Sequence, residues 1–174
     1  MILHICTKLN DHQFFVLVFY VWLSCSICHA TSGMDVVQCV MKERDALLHF
    51  KNGITEDHCG LLDSWGATLD CCQWGGVSCH NLTGHVTMLH LPGTEPVYCL
   101  EGTINVSLVK LTHLKHLDLS NNNFNYQAMP KFIGSLSNLE YLNLSHAGFD
   151  KGIIPHEFGN LSRLSSLDLS YQGT

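Results

Sequence analysis

Three stretches of the chain share one leucine pattern: residues 111–119 read LTHLKHLDL, residues 136–144 read LSNLEYLNL, and residues 161–169 read LSRLSSLDL. Each copy begins 25 residues after the previous one. Repeats at a fixed period of this length are typical of solenoids, in which a unit buries its apolar side chains only by stacking on its neighbours. The pattern therefore predicts an α/β solenoid in which each coil adds a short strand to a parallel sheet on the concave side.

A looser copy of the pattern precedes these three, at Val86, Leu89 and Leu91, and an insertion around residues 94–99 lengthens its spacing to the next. Amphipathic helices are the alternative interpretation of the leucines. Apolar residues at i, i+3 and i+5 share a helix face poorly, and Asn, Gly or Pro bounds every copy. The solenoid is therefore the favoured interpretation.

The residues between the leucines are predicted to point out of the sheet into solvent, because side chains alternate along a strand. Those on the concave side could contact a ligand or a partner. The alternative is that they are ordinary solvated residues without a role in binding, because only a few residues of an interface contribute most of the binding energy. The candidates on two adjacent strands are Lys115, His116, Asp118, Glu140 and Tyr141.

The first 30 residues have the features of a secretory signal peptide. Lys8 precedes an unbroken apolar run from Phe14 to Leu23, and Ala30 stands before the expected cleavage point. That run is shorter than the roughly 20 apolar residues of a spanning helix, so we expect cleavage, and no later segment is apolar enough to cross a bilayer. The predicted organisation is a signal peptide over 1–30, a cap over 31–84 and repeats over 85–174.

The end of a solenoid exposes apolar surface, so its terminal unit must differ from the repeats. Val40, Leu47, Phe50 and Ile54 recur at helical spacing and predict a first cap helix, with the charged residues 42–45 facing away from the core. A second short helix is predicted to carry Leu61, Leu62 and Trp65.

Six cysteines remain once the signal peptide is set aside, and an even number in an exported chain predicts disulfides. A metal site built from Cys71, Cys72, Cys79, His80 and His85 is the competing interpretation. Adjacent cysteines and an oxidising compartment disfavour it, because structural zinc sites use separated pairs. We therefore expect no metal and no cofactor, and leave the connectivity open at this point. The six are Cys39, Cys59, Cys71, Cys72, Cys79 and Cys99.

Glycosylation sequons agree with passage through the secretory pathway. Four follow the signal peptide, at Asn81, Asn105, Asn143 and Asn160. Asn143 is predicted to lie on the concave face, where a glycan would cover part of a binding surface. Whether that site is modified is left open.

Charge and motifs restrict the function. The chain has 9 Lys and Arg against 15 Asp and Glu, and a net charge of −6 makes nucleic acid an unlikely partner. The sequence has no Gly-rich phosphate loop, no kinase motif and no G-x-S-x-G elbow. Binding is therefore favoured over catalysis, and we expect no enzyme activity.

Three motifs carry a resemblance to a known family. They are C-x-x-x-E-R-x-A-L-L-x-F-K from Cys39 to Lys51, D-C-C-x-W-x-G-V-x-C from Asp70 to Cys79, and T-G-H-V from Thr83. With the repeats, they make the chain resemble the N-terminal part of plant leucine-rich-repeat receptor-like proteins and receptor kinases.

The resemblance implies disulfides Cys39–Cys71 and Cys72–Cys79. Cys59 and Cys99 depart from the commonest family pattern, and we favour a bond between them over a free thiol. The strand-end Asn that bridges neighbouring coils in the family is Asn122 here, whereas Ala147 and Gln172 stand at the later equivalents.

The resemblance also implies a function. It is the extracellular binding module of a plant cell-surface receptor, secreted or held on the outer face of the plasma membrane. Such a module perceives a peptide or a pathogen-derived ligand, or pairs with a co-receptor kinase. The alternatives are a secreted inhibitor similar to those of plant polygalacturonases, and a truncated product without function.

Overall fold

The computed structural model describes residues 37–94, 96–149 and 154–170. The predicted signal peptide over residues 1–30 and the family position Gln172 lie outside these ranges. Within the described residues, no helix combines the length and the apolar content needed to cross a bilayer.

The cap begins with helix α1, Met41–Gly53. Ala46, Leu47 and Phe50 lie on one face of the helix and are fully buried. The predicted helical stripe is one residue too long, because Ile54 is extended and starts strand β1, Ile54–Asp57. This strand pairs antiparallel with strand β4, Leu100–Gly102, so the insertion between the first two leucine patterns is bound to the cap.

The predicted second cap helix is wrong, although Leu62 and Trp65 are buried as expected. Residues 58–67 form successive turns. The Asp57 carboxylate accepts from the amides of Leu61 and Leu62 at 3.0 and 2.8 Å. Lys51 Nζ donates to the carbonyls of Leu62 and Trp65 at 2.8 and 3.0 Å. Side chains thus satisfy backbone groups that a helix would otherwise bond internally.

A five-stranded sheet forms the concave side of the repeats. Its strands are β2 Val77–Cys79, β3 Val86–His90, β5 His116–Asp118, β6 Tyr141–Asn143 and β7 Ser166–Asp168. They lie side by side in the order β2-β3-β5-β6-β7, the first pair antiparallel and all later pairs parallel.

The leucine columns of the sequence become the core. Leu89, Leu117 and Leu142 are register partners on successive strands, and all three are fully buried. Leu167 continues the column on β7 but is 48% exposed. The parallel solenoid predicted from the repeats is therefore confirmed.

Short 3₁₀ helices form the opposite side of the coils, at Val106–Lys110, Lys131–Ser135 and His156–Asn160. Each buries one apolar residue in its centre: Leu108, Ile133 or Phe158. Ser107 Oγ donates to the carbonyl of Ala46 at 2.9 Å, which joins the first of these helices to α1.

Disulfides fasten the cap. The bonds are Cys39–Cys71, Cys72–Cys79 and Cys59–Cys99. The third links the turns after β1 to the residue before β4, so it covalently closes the same junction that the β1–β4 pairing makes by hydrogen bonds.

Asn122 bridges the first coils of the solenoid. Its side-chain oxygen accepts from the amide of Leu100 at 2.8 Å. Its side-chain nitrogen donates to the carbonyls of Leu91, Leu119 and Ser120 at 2.8 to 3.1 Å. Ala147 is fully buried one coil later and offers no such bonds. The polar bridge is therefore strongest next to the cap.

Candidate binding face

The candidate face is the solvent side of the parallel strands. Register places Met88, His116, Tyr141 and Ser166 side by side in one column across β3, β5, β6 and β7. A second column, two residues further along each strand, contains His90, Asp118, Asn143 and Asp168. The repeat period thus brings together residues that are about 25 positions apart in sequence.

An aromatic pair lies at the centre of this face. The rings of His116 and Tyr141 are parallel, with an interplanar angle of 2° and 4.1 Å between centroids. Asn143 Nδ2 donates to the Tyr141 hydroxyl at 3.3 Å, which holds the phenol from its other end. The result is a fixed, half-buried aromatic platform, the kind of surface that frequently anchors a binding partner.

Charged residues flank the platform. Lys115 Nζ lies 3.0 Å from Glu140 Oε1, and both side chains are about half exposed. An exposed ion pair of this kind contributes about 0–1 kcal/mol to stability. Both groups therefore remain available to exchange their mutual contact for contacts with a bound molecule.

Asp118 departs from the prediction that it faces solvent: it is only 5% exposed. Its Oδ1 accepts from the amide and the hydroxyl of Ser120 at 3.0 and 2.7 Å. The same arrangement recurs at Asn143 with Ser145 and at Asp168 with Ser170. This column position therefore ends each strand with a local turn, which draws the Asp118 side chain against the backbone.

Two pKa values are perturbed on this face. Burial lowers the pKa of His116 below its usual value, the neighbouring His90 lowers it further, and Asp118 opposes both. The pKa of Asp168 is lowered mainly by the hydrogen bond from the Ser170 hydroxyl, with a second contribution from the Ser170 amide.

A groove of about 390 Å³ lies beside the face, where the strands begin. In this groove Lys115 lies beside a further column of outward-facing residues, which was not among the residues predicted from the sequence. The lining residues include His85, Thr87, His113, Lys115, Asn138 and Arg163.

Glu43 is a residue whose position was predicted wrongly from the sequence. It was expected to face away from the core, yet it is 2% exposed. Its carboxylate bonds His85 Nδ1 at 2.8 Å and accepts from the amide of Val86 at 2.6 Å. The signal was available, because Glu43 precedes Ala46, Leu47 and Phe50 by three, four and seven residues and so shares their helix face.

The four sequon asparagines fall into two groups. Asn81 and Asn160 are exposed, whereas Asn105 and Asn143 are half-buried. Asn105 Oδ1 accepts from the amide of Ser107 at 2.8 Å. Their glycosylation stays a prediction.

The cysteines of the competing metal interpretation, Cys71, Cys72 and Cys79, are all held in disulfides.

Family comparison agrees with this architecture. Residues 41–80 match the leucine-rich-repeat N-terminal domain, and residues 113–136 and 138–161 each match the leucine-rich repeat. The chain therefore belongs to the leucine-rich-repeat proteins.

Within that family, the chain is similar to plant receptor-like proteins. It is 41% identical over 136 residues to receptor-like protein EIX2 of Solanum lycopersicum, which covers 74% of the chain but only 13% of that relative. The chain thus spans a small share of the length of such a receptor.

Solved ectodomains have the same fold. The ectodomain of the Arabidopsis thaliana receptor kinase SOBIR1 aligns with a TM-score of 0.59 and 32% identity, covering 77% of this chain and 68% of that one. The Arabidopsis receptor kinase HAESA, solved with the peptide hormone IDA and the co-receptor SERK1, aligns with a TM-score of 0.63 and 29% identity, covering 75% and 21%.

Proposed function

We propose that the chain is an extracellular binding module of a plant receptor-like protein, which contacts a peptide ligand or a co-receptor ectodomain through its concave face. The His116–Tyr141 stack, flanked by the Lys115–Glu140 ion pair, is the observation that carries the proposal. A rigid aromatic centre with exchangeable charges at its rim has the composition of a protein-binding surface.

Two further features support binding over other roles. Leu89, Leu117 and Leu142 beneath β3, β5 and β6 are fully buried, so the packed core supports the backbone of these strands and lowers the cost of ordering the side chains that they present. The similar HAESA ectodomain is described in complex with a peptide hormone and a co-receptor. The inhibitor-like and truncated interpretations stay predictions.

Surface plasmon resonance tests the proposal. The chain is secreted from insect cells, immobilised, and exposed to purified ectodomains of SOBIR1 and SERK1 and to a synthetic peptide library. We expect at least one of these probes to bind. Tyr141→Ala combined with Lys115→Glu removes the platform and reverses a rim charge, so it should weaken that binding by at least about tenfold, the effect of losing a hot spot.

Lys131→Glu is the matched control, because Lys131 is exposed on the 3₁₀-helix side of the coils. It should leave the affinity unchanged. Equal affinities for the wild-type chain and the concave variant would place the binding surface elsewhere. Failure of every probe to bind the wild-type chain would contradict the binding-module proposal itself.

A further inference from the structure

Three side chains with metal-ligating atoms converge on the concave face. They are His90 from β3 and His116 and Asp118 from β5, and their ligating atoms all lie within 4.8 Å of one another. His90 and Asp118 are register partners, and His116 precedes Asp118 by two residues, so all three project from the same side of the sheet. We propose that these residues bind a divalent transition-metal ion, of which Zn²⁺ is the best match.

The donor atoms lie close enough together to face one ion. Ser120 occupies only Oδ1 of Asp118, and Oδ2 lies 3.6 Å from His90 Nδ1, beyond a good hydrogen bond. His116 Nε2 is secluded from solvent and has no hydrogen-bond partner among the described residues. A cation bound between these atoms would satisfy the uncommitted carboxylate oxygen and the unpartnered ring nitrogen together.

The surrounding residues fix two of the three ligands. The Ser120 hydroxyl holds the Asp118 carboxylate at 2.7 Å, and Tyr141 holds the plane of the His116 ring by stacking. Hydrogen bonds that orient ligands raise metal affinity. The His90 side chain is 48% exposed and already lies beside the other two, with Nδ1 3.6 Å from Asp118 Oδ2 and its ring centroid 5.6 Å from that of His116, so a rotation of this side chain would bring it closer to them. Ligation at about 2.0–2.2 Å would require this closure, and three protein ligands would leave a fourth position open toward solvent.

Ligand chemistry selects the class of ion. Two imidazoles and one carboxylate suit Zn²⁺ and related transition metals, whereas Ca²⁺ and Mg²⁺ prefer all-oxygen sites. The second histidine cluster, made by Glu43, His85 and His113, is a poorer match. Both Glu43 oxygens already have hydrogen-bond partners, and the imidazoles stack face to face at 3.7 Å, so their ring-plane lone pairs cannot converge on one ion.

Isothermal titration calorimetry tests the site. The chain is secreted without a histidine tag, stripped with a chelator, and titrated with ZnCl₂, with CaCl₂ and MgCl₂ in parallel. Asp118→Asn removes the anionic ligand and keeps the turn, because Asn143 makes the same two bonds to Ser145 at 3.0 and 2.7 Å. His90→Ala removes an exposed ligand, so it decides the question even if Asp118→Asn fails to fold.

We expect saturable Zn²⁺ binding that either variant weakens by at least about tenfold, the scale reported for disturbing a metal site. Asp168→Asn makes the same substitution in the same column without the two histidines, and His113→Ala removes a histidine from the second cluster. Both should bind Zn²⁺ like the wild-type chain. Absent Zn²⁺ binding, or binding that neither His90→Ala nor Asp118→Asn weakens, overturns the proposal.

Discussion

The imidazole of His116 lies parallel to the phenol ring of Tyr141 on the adjacent strand, with 4.1 Å between the ring centroids. The two residues are register partners, so the contact follows directly from the 25-residue repeat. Direct neighbours on one face of a sheet are the contacts through which strands stabilise each other.

This stack should be measurable as a coupling energy. A double-mutant cycle of His116→Ala and Tyr141→Ala, followed by urea unfolding, is expected to give a coupling of about 0.5–1 kcal/mol, because aromatic pairs contribute beyond the area they bury. The exposed Lys115–Glu140 pair provides the matched cycle and should give a smaller value. A coupling between His116 and Tyr141 that is indistinguishable from zero would show that the rings are merely adjacent.

Burial differs along the leucine column, which predicts that leucine-to-alanine substitutions in it lower the free energy of unfolding by different amounts. Leu142 is fully buried, whereas Leu167 occupies the same column on β7 and is 48% exposed. Leu142→Ala should therefore lower the free energy of unfolding by about 2–5 kcal/mol, through lost burial and the cavity left behind. Leu167→Ala should cost about 1 kcal/mol, since only part of its surface is buried. Chemical denaturation measures both, and equal costs would mean that Leu167 is covered in solution.

Sequence periodicity specified the repeat fold because one pattern both places the leucines inside and sets the register. The columns containing His116 and Tyr141 could be read directly from a 25-residue shift. The repeat period alone could not reveal that the Asp118 side chain turns back toward Ser120. Its position depends on a local hydrogen bond and not on the alternation of side chains along the strand.

The cap was harder to predict because it is not repeated. Glu43 looked like part of a charged surface run, although its helical spacing places it on the buried face, and its contacts with His85 and the Val86 amide provide partners for the buried carboxylate. The turns of residues 58–67 depend on Asp57 and Lys51, whose side chains bind backbone groups of that segment. Long-range hydrogen bonds of this kind leave no periodic signal in the sequence.

The disulfides should differ in their contributions to stability. Cys59 and Cys99 are separated by 40 residues, and Cys72 and Cys79 by 7. In the chain-entropy model these bonds contribute about 4 and about 2.4 kcal/mol, because a longer loop restricts the unfolded chain more. Cys59→Ala with Cys99→Ala should therefore lower the free energy of unfolding by about 1.5 kcal/mol more than Cys72→Ala with Cys79→Ala.

Guanidinium denaturation of the two double variants, with the wild-type chain alongside, measures this difference. The comparison is matched, since each variant loses one bond of the same cap. If the Cys72–Cys79 bond proves equally or more important, the stabilisation comes from native-state contacts and not from loop closure.

Asp168 provides a pH-dependent test of the strand-end turn. The Ser170 hydroxyl donates to Asp168 Oδ1 at 2.7 Å and the Ser170 amide at 2.9 Å, and these bonds favour the ionised carboxylate and lower its pKa. A carboxyl whose folded pKa lies below its unfolded value of about 3.9 stabilises the fold above that pH, and the contribution is lost as the pH falls through the folded pKa. The side chain is exposed, so the contribution to global stability is small and the titration itself is the better measurement.

Ser170→Ala should raise the pKa of Asp168 toward the ordinary value, and only part of the way, because the bond from the backbone amide remains. Carboxyl carbon chemical shifts followed by NMR across acidic pH report the change. Ser166→Ala is the control, because it removes a hydroxyl from the same strand and leaves the bond from the Ser170 hydroxyl to Asp168 in place. It should leave the pKa of Asp168 unaltered. An Asp168 pKa that stays equally low in Ser170→Ala would assign the effect to the backbone amide and to the nearby His146, and the recurrent serine hydroxyl after each strand would then have no electrostatic role.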